Sequence, residues 1–253
     1  MAISTHWHCP PKDFRFTLEP GDVHIWRAPL SESSAYASRF RPYLSDQEII
    51  RSNRYRIPHP QYQFVITRGI LRTLLSHYIS VPTSELLFEN QAHGKPMLVT
   101  PSAHPIQFNV SHTRGMALIA ITLQHAVGVD VERIDRTVHD RDIAERYFSK
   151  RESTYLMSLS PPERTQYFFA FWTCKEAYLK MEGRGIAGGF AHCEILLETD
   201  RPEAGLSLLN QQAETDPCLL YRITAGSAYV GALAVAGSSA KISHWDWQDH
   251  YLV

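Results

Sequence analysis

The chain has 253 residues, 44% of them hydrophobic, and a net charge of −1, enough for one large core or two small ones and poorly suited to general nucleic-acid binding. No apolar run approaches the roughly 20 residues of a membrane span, and with Lys12 and Arg15 late and no apolar stretch beside them, no signal peptide is expected. Cys9, Cys174, Cys193 and Cys218 make no C-x-x-C pair and fit reduced thiols of a cytoplasmic enzyme.

In chain order, residues 23–28 alternate as a strand, 46–54 predict a helix and 60–79 a long one. Seven arginines (39, 41, 51, 54, 56, 68, 72) face two acids, Asp46 and Glu48, over this stretch. Such a run serves as a solvated face or, through its forked guanidinium groups, as a phosphate clamp. A strand at 86–90 follows, then the turn Gly94-Lys95-Pro96 and an apolar hairpin through Phe108 and residues 116–122. The segment Phe108-Asn109-Val110-Ser111-His112 closes a strand with two side chains able to donate to a phosphate.

Val127-Gly128-Val129-Asp130-Val131-Glu132 reads as a strand whose period of two puts Asp130 and Glu132 on one face. Paired carboxylates repel unless a cation or a proton lies between them. Hard oxygen donors without neighbouring Cys or His favour Mg²⁺ over zinc. Helices are predicted at 141–147, 150–159 and 162–182, and strands at 193–197, 207–209, 219–225 and 228–236. Residues 200–205 and 211–217 read as polar loops. The tail, 244–253, is aromatic enough to pack on the body.

In the long second helix, Phe168, Phe171, Trp172, Tyr178 and Leu179 form one arc at roughly 100° per residue. Lys175 falls within that arc, with Glu176 and Lys180 on its flank, while Cys174 lies on the less apolar side and reads as structural. Alone this is an i,i+4 Glu–Lys pair with a snorkelling lysine. With Asp130 and Glu132, Glu176 makes a third carboxylate, a set suited to a magnesium-bound diphosphate.

Together these motifs resemble those of the 4′-phosphopantetheinyl transferases of the surfactin (Sfp) type. That pattern runs GKP, FN-x-SH, (I/V)G(I/V)D-x-E and W-x-x-KEA-x-x-K, and residues 94–96, 108–112, 127–132 and 172–180 match it throughout. The resemblance implies an α+β pseudo-dimer of two similar halves, 1–125 and 126–253, with the active site in the cleft between them. Gln61-Tyr62-x-Phe64 and Gln166-Tyr167-x-Phe169 are a local echo of such a duplication.

It further implies transfer of 4′-phosphopantetheine from coenzyme A to a serine of an acyl or peptidyl carrier protein, with release of 3′,5′-adenosine bisphosphate. By the same resemblance Arg51 and Arg68 take the 3′-phosphate, and Lys95, Ser111, His112, Lys175 and Lys180 the diphosphate. Asp130, Glu132 and Glu176 hold Mg²⁺ against it. Glu152 matches the acceptor of the serine proton; Glu176 acting through water is the competing route, and Lys180 neutralises charge. An acidic carrier calls for an apolar patch with a basic rim, for which residues 146–159 are a candidate if they are not helix-packing core. A monomer is expected, because the second half supplies what single-half relatives obtain by oligomerising. The rivals are a non-catalytic coenzyme A binder, which predicts a missing motif residue, and a magnesium-dependent diphosphate hydrolase.

Overall fold

The structure is a computed structural model that describes residues 6–91, 94–102, 105–134, 140–183, 190, 193–197, 206–210 and 217–252. Its first half runs β1 (Asp22–Pro29), α1 (Ser34–Ser38), α2 (Asp46–Ser52), α3 (Pro58–Ile79), β2 (Phe88–Asn90), β3 (Pro96–Leu98), β4 (Ile106–Thr113) and β5 (Met116–Leu123). The second runs β6 (Val127–Arg133), α4 (Asp140–Tyr147), α5 (Lys150–Ser158), α6 (Pro161–Glu182), β7 (Cys193–Leu197), β8 (Leu206–Asn210), β9 (Cys218–Thr224) and β10 (Tyr229–Ala236), and β11 (Lys241–Asp246) ends the chain.

The halves repeat one plan. In the first, β1, β5 and β4 lie side by side and antiparallel; in the second, β6, β10 and β9 do the same. A 22-residue helix, α3 or α6, follows the first strand of each set, and both helices begin at a proline. Strand alternation then divides the core. On the first sheet Trp26, Ala28, Ala117, Ile119 and Ile121 pack toward α3, while Val23, Ile25, Leu118 and Ala120 turn the other way. There they meet Val127, Val129, Val131, Leu233 and Val235 of the second sheet. An apolar layer thus binds the halves together, and the alternate residues of β6, Gly128, Asp130 and Glu132, are left for the face that carries α6.

Three elements escape the sequence reading: α1, β3 and β11. The last corrects the division at 125/126, because β11 belongs to the first sheet, paired in parallel with β1 from Asp22–Lys241 to Arg27–Asp246. Without it β1 would be an open edge. The expected packing of the tail is seen in Trp247 and Tyr251, both buried in the core with Trp26 and Phe40. Arg27 ties the ends further: its Nε and Nη2 donate to Asp246 at 2.7 and 3.0 Å, and Nη1 to the Ala225 carbonyl at 3.2 Å. The expected loop at 200–205 lies outside the described residues, as does 211–217 apart from Pro217.

Candidate active site

Helix α6 is buried on all sides from Phe168 to Leu179, apart from the half-buried Trp172. The single apolar arc is therefore an incomplete description, and Cys174, fully buried, is not on a polar side. Such a helix can approach a sheet closely only where side chains are small. At Gly128 an added Cβ would lie 1.9 Å from the Ala177 carbonyl oxygen, so glycine lets the α6 backbone rest on β6. That contact brings Glu176 and Lys180 over Asp130 and Glu132.

Lys180 Nζ donates to Asp130 Oδ1 at 2.7 Å and to Ser111 Oγ at 3.0 Å. Ser111 Oγ in turn donates to the same Asp130 oxygen at 2.7 Å. The other oxygen, Oδ2, is buried without a partner among the described residues. Burial, then Asp130, push the Glu176 carboxyl up to about 7, with Lys180 opposing and Glu132 adding to the rise. Among the described residues no three acidic, histidine or cysteine side chains converge into a finished metal cage. The donor set nevertheless fits a hard cation: an orphaned carboxylate oxygen, two further carboxylates that repel it, and a lysine supplying the missing positive charge.

Strand β4 carries the join between the halves. Asn109 Oδ1 accepts from the Val129 amide at 2.9 Å, and Ser111 Oγ from the Val131 amide at 3.4 Å. These side chains cap the open edge of β6 without strand pairing. Ser111 is thus committed to Asp130, Lys180 and β6, which corrects its assignment as a phosphate donor. Lys95 is partly engaged in the same way. Its Nζ donates to the carbonyls of Val127 at 3.0 Å and Met181 at 3.2 Å, and burial lowers its pKa to about 8. It ties the β2–β3 hairpin to the second half.

The next residue of β4, His112, points the opposite way, into a cleft of about 410 Å³ lined by Arg51, Phe64, Thr67, Arg68, Phe88 and Val110 among others. Its ring is open to solvent yet hemmed in by protein, and that partial desolvation, together with Lys180, lowers its pKa. Arg68 lies over the Phe88 ring at 4.1 Å and Arg51 over Phe64 at 5.1 Å. The structure thus gathers Arg51, Arg68 and His112 in one cleft, so His112, expected at the diphosphate, lies beside the two arginines expected at the 3′-phosphate. The residues the sequence reading missed here are the aromatic walls and Glu48, whose carboxylate pairs with both Arg68 and Arg72. The signal for Glu48 was legible: Ser45-x-x-Glu48 is a capping box, and it forms.

Two further assignments fall. Lys175 has no exposed side-chain surface; its Nζ lies 2.9 Å from Glu152 Oε2 and donates to the carbonyls of Phe190 and Cys193 at 3.1 and 2.5 Å. An ammonium has three protons and all are used. Glu152 is equally committed, accepting from the amides of Ser149 and Ile195, both at 2.7 Å. A carboxylate this enclosed cannot meet a substrate hydroxyl, so Glu152 is a strut joining α5, α6 and β7 rather than a general base, and Lys175 is not a diphosphate ligand. In the carrier-docking candidate at 146–159, Phe148 and Leu156 are buried, and Tyr147, Tyr155 and Met157 pack half-buried on the same core.

Two family profiles account for most of the chain. Residues 26–124 match the 4′-phosphopantetheinyl transferase N-terminal family, and residues 126–234 match the 4′-phosphopantetheinyl transferase superfamily. The 4′-phosphopantetheinyl transferase HetI of Nostoc sp. is 34% identical over 239 residues, covering 94% of this chain and 97% of that protein. This chain belongs to the 4′-phosphopantetheinyl transferase superfamily. The 4′-phosphopantetheinyl transferase psf-1 of Bacillus pumilus is 28% identical, covering 84% of this chain and 88% of that protein. The Sfp transferase of Bacillus subtilis is 29% identical over 160 residues, or 63% of this chain and 68% of its own length. The protein is thus an enzyme of the phosphopantetheinyl transferase type, a pseudo-dimer built from two copies of one plan.

Proposed function

We propose that this transferase moves 4′-phosphopantetheine from coenzyme A to a serine of an acyl or peptidyl carrier protein, with Mg²⁺ held by Asp130, Glu132 and Glu176. The observation that carries this reading is the two-sided use of β4. An arginine-rich, aromatic cleft lies on the side of His112, and a buried carboxylate–lysine cluster lies on the side of Ser111. The cleft suits the 3′-phosphate and adenine, with Arg51 and Arg68 as cations and Phe64 and Phe88 as walls. The cluster suits the diphosphate and its metal.

Bound Mg²⁺ would neutralise charge on the diphosphate oxygens, the main requirement of phosphoryl transfer. Lys180 supplies a further cation at Asp130. His112, its pKa lowered by partial desolvation and Lys180, would meet a phosphate as an N–H donor from the cleft wall. With Glu152 enclosed, the serine proton falls to water relayed by Glu176. The serine oxygen forms a bond to the phosphorus bearing pantetheine, the diphosphate bridge to that phosphorus breaks, and 3′,5′-adenosine bisphosphate leaves. The reading extends to a monomer in the cytoplasm: one chain supplies both halves, and all four cysteines are free thiols. No helix among the described residues is long and apolar enough to cross a membrane.

The test is intact-mass analysis of an apo carrier protein incubated with this enzyme, coenzyme A and Mg²⁺, beside a chelator control. A metal-dependent gain of one phosphopantetheine per carrier is expected. Free phosphopantetheine without a loaded carrier would instead identify a diphosphate hydrolase, and bound but unconsumed coenzyme A a non-catalytic binder.

A further inference from the structure

An acid in the wall of an anion-binding cleft needs a reason. Glu48 lines the cleft, and its negative charge works against any phosphate that enters. Burial opposes that charge, yet Arg68, the Ser45 amide and Arg72 together keep its carboxyl below the usual range. The group is ionised and firmly held. The Ser45 amide donates to its Oε2 at 2.8 Å, and Arg72 Nη1 at 3.2 Å. Arg72 is itself immobile, fully buried with Nη2 on the carbonyls of Thr83 and Leu86 at 2.5 and 3.0 Å.

Arg68 is fixed against this frame on two sides. Its Nε donates to Glu48 Oε1, and its guanidinium lies 4.1 Å above the Phe88 ring. Among the described residues no partner takes its two terminal nitrogens. We propose that Glu48 is a positioning residue: it holds the Arg68 guanidinium so that the terminal nitrogens face the cleft as a preset fork for the 3′-phosphate. A long arginine side chain left to itself loses rotamer freedom when it grips an anion, and a fork fixed in advance avoids that cost. The competing account is that Glu48 exists only to neutralise the buried Arg72. The two differ in outcome, because neutralisation predicts that removing the charge strengthens anion binding.

This role rests on the coenzyme A reading of the cleft, and the experiment separates the two. Calorimetric titration of 3′,5′-adenosine bisphosphate and of 5′-AMP into the purified protein gives an affinity ratio that reports the 3′-phosphate alone. Partial unfolding of a variant cancels from that ratio. In Glu48→Gln the preference for the bisphosphate should fall roughly tenfold, the worth of one hydrogen bond to a charged group, with AMP affinity unchanged. Arg68→Ala should lower the ratio likewise, and the double variant no further. If Glu48→Gln does not fold, Glu48→Asp, which keeps the charge but shortens its reach, should show the same fall. A ratio unchanged or raised in Glu48→Gln while Arg68→Ala loses it would overturn the role of Glu48 alone. A parent protein without preference for the bisphosphate would overturn the reading of the cleft, and this role with it.

Discussion

Glu176 holds its proton well above the ordinary carboxylate range, at about 7 against 4.5, through burial first and then Asp130 and Glu132, with Lys180 opposing. A carboxyl whose pKa rises on folding stabilises the fold fully below its unfolded value and loses that contribution as pH climbs through its folded value. Metal-free protein should therefore weaken between pH 4.5 and 7 by an amount on the order of 3 kcal/mol from this residue alone. Glu176→Gln removes the effect, so chelator-treated variant and parent should match near pH 5 and diverge by pH 8, the variant being the more stable. Urea melts at both pH values check this, and a constant gap would show that Glu176 titrates normally. Two lysines on the same helix predict different outcomes. Lys175→Met strands the buried Glu152 charge and should cost about 3–5 kcal/mol in the same melts. Lys180→Met strands the Asp130 charge, but at a pair partly open to water, so it should cost less, about 1–3 kcal/mol, and abolish transfer.

At the scale of elements, the site depends on how closely α6 can lie on β6. An alanine at position 128 would drive its Cβ into the Ala177 carbonyl and to 2.4 Å from the Met181 amide nitrogen. Gly128→Ala should cost roughly 3 kcal/mol or more through overpacking. It should also weaken transfer in the fraction that folds, because the displaced helix carries Glu176 and Lys180. Equal stability of variant and parent would mean that the two backbones are not in contact. Strand β4 is the second such element. Its period of two sends Ser111 to the carboxylates and His112 to the arginine cleft, so one strand serves both parts of the substrate.

Over the whole molecule, the last strand holds the first half together. Removing residues 241–253 would open the β1 edge, break the Arg27–Asp246 pair and strip Trp247 and Tyr251 from the first core. Hydrogen exchange should then show β1 and β5 amides losing protection while those of β9 and β10 keep theirs. Uniform protection in the truncated chain would show that β11 is dispensable. The two ends of the chain thus stabilise a sheet whose other strands lie far from them in sequence.

The four motifs were legible because each is local. Period two put Asp130 and Glu132 on one face of β6, and the helical period put Glu176 and Lys180 one turn apart, whatever the rest of the chain did. The long helices, most strands and the capping box at Ser45 were readable for the same reason. Tertiary structure decided which partner each charged group meets. Lys175 and Lys180 are five residues apart and so point to different sides of a helix that is buried all round, one toward Glu152 and the other toward Asp130. Ser111, a plain phosphate donor by motif, spends its proton on Asp130 of the second half instead, and Lys95 two of its three. Asp246 reaches Arg27 across 219 residues. No local pattern encodes such a contact, because it follows from the register in which distant strands and helices pack.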